Sequence, residues 1–102
     1  MSAALDKLQR NLRRSYIDRL PARIRQLEAF HERIAQSDAT AIAEAQAIAH
    51  QLAGSGASYG FEDITGSARA FERAPAEKAL TTFEQLLDTL NQAKEMTSDP
   101  PG

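Results

Sequence analysis

The chain contains no cysteine and no tryptophan, and only 6% of its residues are aromatic. Without thiols there are no disulfides and no thiolate metal sites, a usage that fits a reducing compartment and predicts a cytoplasmic protein. No apolar run approaches the roughly 18 residues of a membrane span. The opening Met1-Ser2-Ala3-Ala4-Leu5-Asp6-Lys7 also lacks the basic and apolar segments of a signal peptide, so no membrane association is expected. A basic excess is missing too. Twelve Lys and Arg stand against 14 Asp and Glu, a formal net charge of −2, so nucleic acid is not an expected partner. Gly54, Gly56 and Gly60 are too widely spaced, and too helical in context, for a phosphate-binding loop leading from a strand. No nucleotide-dependent activity and no cofactor is therefore expected. The carboxylates Glu62, Asp63 and Glu72 are scattered at helix-face spacing with no paired histidine ligand, which argues against a metal or acid–base site.

What the chain does have is a helical period. Its 102 residues suffice for one small domain with one core. Leu5, Leu8 and Leu12 recur at three and four residues, and Tyr16, Leu20, Ile24, Leu27 and Ile34 continue the pattern. Pro21 interrupts it, as a kink or as a fresh start with proline in the first turn. Ser37-Asp38 marks the next break, with Asp38 capping a helix from Ala39 to about Tyr59 and Gly60 stopping it. A third segment spans Phe61 to about Arg73, ended by Ala74-Pro75. The last runs from near Pro75 to about Lys94 and is expected to bury Leu80, Phe83, Leu87 and Leu90. No stretch alternates as a strand does, and the connections are short. The prediction is an all-α, up-and-down antiparallel four-helix bundle over residues 15–96, with an N-terminal helical extension over 1–14 and a frayed tail over 97–102. In the extension, Arg10, Arg13 and Arg14 lie close together, a pattern open to two readings, a small interaction surface or, more commonly, a solvated face. Its apolar stripe leaves two options, a fifth helix in one bundle or a pairing of two chains, and a monomer is favoured.

The two histidines make an internal comparison. Winding the helices at about 100° per residue puts His31 on the arc of Leu20, Leu27 and Ile34, at the core edge with its nitrogens satisfied. His50 falls roughly 150° from the mean direction of Ile42, Ala45, Ile48, Ala49, Leu52 and Tyr59, outside the core. Ala43, Gln46, Ala47, Ala53, Gly54 and Ala57 share its face one turn either side, where an exposed helix normally carries Lys, Glu or Arg. A glycine at position 54 costs a helix interior about 1 kcal/mol against alanine. A destabilising glycine beside an exposed imidazole suggests that another protein's backbone must come close. Neutral imidazole is itself nucleophilic near physiological pH and needs no cofactor to accept a phosphoryl group.

The stretch from His50 resembles the signature of histidine-containing phosphotransfer (HPt) domains, H-x-L-K-G-S-[SA]-x-x-x-G. His50, Leu52, Gly54, Ser55 and Gly60 match it, Gly56 stands where serine or alanine is usual, and the likeness runs through Phe61-Glu62-Asp63-Ile64. The resemblance implies a four-helix bundle whose histidine relays a phosphoryl group in two-component signal transduction. The implied partners are a response-regulator receiver domain, a sensor histidine kinase, or both. Carried across by position, His50 is the phosphorylated residue, on Nε2, and Gly54 leaves room for the docking receiver. Gln46, Gln51, Ala53 and Ala57 are expected to support that docking face. One departure matters: the family's usual lysine three residues after the histidine is Ala53 here, so a positive charge beside the phosphohistidine is missing. Arg69, on the following helix, resembles in position a polar residue that supports the histidine in some members, and is the candidate substitute. The same departure keeps alive a degenerate module that docks a receiver or kinase without carrying phosphate. A third reading is an unrelated helical adaptor.

Overall fold

The computed structural model describes residues 3–95, and the 97–102 tail lies outside them. Six α-helices follow one another: α1 Ala3–Asp18, α2 Leu20–Glu28, α3 His31–Ala35, α4 Ala39–Ser58, α5 Glu62–Glu72 and α6 Ala79–Glu95, with a 3-10 turn Ala76–Lys78 leading into α6. Among the described residues there is no strand. Of the two options for Pro21, the fresh start is realised: the chain breaks at Arg19 and Pro21 sits in the first turn of α2, where a missing N–H leaves no partner unsatisfied. Helices α2 and α3 together form one column of the bundle, α2 against α6 and α3 against both α4 and α6. The α4–α5 and α5–α6 pairs complete the ring, giving the up-and-down bundle.

Local chemistry fixes the ends of α4. The Asp38 side chain accepts from the Thr40 and Ala41 amides at 3.0 and 3.2 Å, satisfying two of the donors that a helix start leaves open. At the other end Gly60 takes φ of +81°, a left-handed conformation that glycine adopts at no steric cost. The Phe61 amide then donates to the Gly56 carbonyl at 2.7 Å and the Gly60 amide to Ala57 at 3.3 Å. That closed turn sends α5 straight back along α4.

The core is filled by Leu20, Leu27, Ile64, Phe71, Phe83, Leu86 and Leu90, with the Phe71 and Phe83 rings 5.3 Å apart in a tilted pair. On α4 the buried residues are mostly small, Ala41, Ala45, Ala49, Ala53 and Gly56, which lets α5 approach closely. The expected core of α6 needs one correction. Leu86 is fully buried, whereas Leu80 and Leu87 are half-buried at its margin. The α5 and α2 contacts together select the Ala79, Phe83, Leu86, Leu90, Ala93 ridge.

Helix α1 does not add a fifth layer. Residues 3–15 are exposed throughout, and Tyr16 and Ile17 are the first to be buried. Tyr16 stacks between Tyr59 and Phe61, at centroid distances of 5.1 and 5.2 Å, and Arg13 lies over the Phe61 ring at 4.8 Å. The Tyr16 hydroxyl bonds Ser55 Oγ at 3.1 Å; since Ser55 itself donates to the Leu52 carbonyl, tyrosine is the donor. Burial raises the Tyr16 pKa, with the Ser55 bond and Arg23 acting against that shift.

Candidate functional site

His50 stands on the outer face of α4 with 73% of its side chain exposed. Its Nδ1 lies 2.6 Å from Glu72 Oε2 in the last turn of α5. A carboxylate accepts and cannot donate, so Nδ1 carries a proton, and in the neutral ring the lone pair is then on Nε2. Among the described residues Nε2 has no hydrogen-bond partner, and it faces solvent. The pair is held in register from below, because Gln46 Nε2 donates to the Phe71 carbonyl at 3.1 Å and ties the end of α5 to α4 one turn before His50.

The residues expected around His50 separate into two groups. Ala43, Ala47, Gln51, Gly54 and Ala57 are exposed. The space a side chain would occupy at Gly54 is open: a Cβ there would meet nothing within 4 Å outside its own helix. Nothing inside the protein therefore requires glycine at position 54. Ala53, in contrast, is 3% exposed and its carbonyl accepts from the Thr65 hydroxyl at 3.1 Å. It does not lie on the open face, and a lysine there would have to thread its stem past α5. Gln46 is half-buried and engaged with α5, so it positions the site rather than presenting an open surface. The physical reason is the side on which α5 lies. Ala53 and Gln46 flank His50 toward α5, while Ala47, Gly54 and Gln51 flank it on the other side.

The polar residue that α5 delivers to the histidine is Glu72, not Arg69. Arg69 is exposed one helical turn before Glu72 and, among the described residues, forms no ion pair or side-chain hydrogen bond. By spacing alone Glu72 reads as one of several scattered carboxylates. A signal for it existed: residues equidistant from a tight turn face each other on antiparallel helices, and His50 and Glu72 are nearly equidistant from Gly60–Phe61. His31 offers a contrast. It packs near Phe83, as expected for a core-edge residue, but the nitrogen that meets Glu84, at 2.9 Å, is Nε2. That leaves Nδ1, the nitrogen beside its own backbone, as the free one.

No group of three or more His, Asp or Glu capable of holding a metal occurs among the described residues. No described helix is long and apolar enough to cross a membrane.

The helical bundle thus presents a solvent-exposed imidazole, hydrogen-bonded to a carboxylate and bordered by small side chains. The family model described as the Hpt domain matches residues 11–96, and the chain belongs to that family, whose members take part in phosphorelays of two-component signalling with receiver domains and kinases. No curated protein and no solved structure shows a significant similarity to it.

Proposed function

We propose that the chain is a phosphorelay intermediate that accepts a phosphoryl group on His50 Nε2 and passes it to or from the aspartate of a receiver domain. The observation that supports this reading is the His50–Glu72 bond: with Nδ1 donating to the carboxylate, the neutral ring keeps its lone pair on Nε2, on a side chain that is 73% exposed. In the forward step Nε2 attacks the phosphorus of an aspartyl phosphate. The N–P bond forms as the P–O bond breaks, and the electron pair leaves with the receiver's carboxylate. The imidazole ring gains positive charge as it does so, and the Glu72 carboxylate at Nδ1 stabilises that charge. Transfer back reverses each change. Such chemistry depends on in-line positioning and charge stabilisation, so a rigid helix with an open nucleophile is enough on this side of the interface.

Gly54 supports the docking half of the proposal, because a helix glycine with no internal contact to avoid is explained by the close approach of a partner. The docking-only alternative rests on Ala53, where the family's usual lysine is missing. The exposed imidazole and its Glu72 partner favour carriage of phosphate over docking alone. One copy holds every residue of the site, so we read the chain as acting as a monomer, in the cytoplasm where receiver domains work.

The test is His50→Gln, assayed for acid-labile label after incubation with phosphorylated receivers. The variant is expected to lose all label while melting within about 0.5 kcal/mol of wild type, as an exposed substitution should. Label that persists in His50→Gln refutes the site. His31→Gln is expected to keep full labelling.

A further inference from the structure

The surface around His50 allows close approach but offers little area, since Ala43, Ala47, Gly54 and Ala57 have almost no side chain. Specific protein interfaces bury about 800 Å² per partner. More apolar surface has to come from nearby, and the large exposed apolar side chains of the described residues are Leu5, Leu8 and Leu12 on α1, at 55%, 52% and 43% exposure. Their spacing puts them on one face of the helix. Lys7, Arg10 and Arg14 occupy the opposite face.

That stripe is joined to the His50 face. A groove of about 470 Å³ has Gln9, Leu12 and Arg13 on one wall and Ala57, Ser58 and the Tyr59–Gly60 turn on the other. Ala57 is two turns beyond His50, about 10 Å along α4. A partner that covers Gly54 and Ala57 therefore meets Leu12 next. The base of α1 is fixed by the Tyr16 bond to Ser55, its stacking on Tyr59 and Phe61, and Arg13 over Phe61. The arm is anchored at its base, beside Leu12, which lowers the entropic cost of docking there.

The geometry points to α1 as a second docking arm for the receiver domain that meets His50, with Leu8, Leu12 and the Ala57–Gly60 groove taking an apolar edge of that domain and Arg13 meeting a carboxylate at its rim. This rests on the relay reading above. A second copy of the chain fits less well. Three leucines per chain fall far short of the area a stable dimer needs.

The test uses receiver domains purified from the source organism and charged with acetyl phosphate, retaining those that label the wild-type chain at His50. In Leu8→Ala/Leu12→Ala the half-saturating receiver concentration is expected to rise about tenfold. The transfer rate at saturating receiver and the lifetime of the label stay as in wild type. Both leucines are exposed, so folding is unaffected, and circular dichroism checks it. An unchanged half-saturating concentration overturns the inference and leaves the relay reading intact. So does a wild-type dimer in sedimentation that the double variant converts to monomer, since the stripe would then be a self-interface. Failure of every receiver to label the wild type, or label that survives His50→Gln, overturns the relay reading and this inference with it.

Discussion

Alanine at Gly56 and alanine at Gly54 are the same chemical change two residues apart on α4, and the structure assigns them opposite signs. A Cβ at position 56 lies 2.8 Å from Thr65 Oγ1, 3.2 Å from the Phe61 carbonyl oxygen and 3.3 Å from Ile64 Cγ2. Either Thr65 rotates away, losing its buried bond to the Ala53 carbonyl at a cost of about 1–3 kcal/mol, or α5 moves out, with an overpacking cost of similar size. The gain in helix propensity returns at most about 1 kcal/mol. Gly56→Ala is therefore expected to destabilise by about 1–2 kcal/mol, a fall in Tm of roughly 5–15 °C for a domain of this size. Gly54→Ala meets no atom and should raise stability by up to about 1 kcal/mol. Thermal and urea unfolding followed by far-UV circular dichroism measure both. Thr65→Ala removes the closest atom, so the cost of Gly56→Ala should shrink by about 0.5 kcal/mol or more in that background. Equal effects at the two positions, or a Gly56→Ala cost indifferent to Thr65, would refute this account of the α4–α5 contact. The stabilised Gly54→Ala should still transfer phosphate, while Gly54→Arg should fold well and block receiver-dependent labelling.

Three further outcomes follow from the site and its supports. Glu72→Gln keeps the shape but removes the charge that stabilises the imidazolium, so single-turnover transfer to His50 should slow by about tenfold or more with little change in receiver affinity; an unchanged rate would leave Glu72 a merely structural partner. Arg69→Ala should slow transfer or shorten the lifetime of the phosphohistidine if this exposed cation, one turn from Glu72, swings toward the phosphoryl group. Identical transfer and hydrolysis in wild type and variant would mean that the receiver alone supplies the positive charge. Tyr16→Phe tests linkage: the folded-state pKa of Tyr16 is raised by burial, so its contribution to stability is full below the unfolded tyrosine value near 10 and is lost as pH rises toward the folded value. Wild type should lose more stability than Tyr16→Phe above pH about 10, and parallel alkaline profiles in urea titrations would contradict the burial of this hydroxyl.

Periodicity and chain punctuation determined most of the fold by themselves. Apolar spacing marked the helices, Asp38 and Gly60 marked the ends of α4, and the Ala74-Pro75 break separated α5 from α6, because caps and breakers act through local backbone chemistry. The outward direction of His50 was legible for the same reason, since it needs only the winding of one helix. Which flank of His50 is open was not. A helical wheel places Ala53 and Gly54 at comparable angles from the histidine, and only the position of α5 buries one and leaves the other bare. The same packing chose Leu86 over Leu87 and left the stripe of α1 outside the bundle. It also brought Glu72 rather than Arg69 to Nδ1, a distinction of less than one helical turn that depends on the register of two helices across the Gly60 turn. Local sequence sets the direction of a side chain from its own helix axis; what lies beside it is decided by the neighbouring helix, and that is settled by the packing of the whole core.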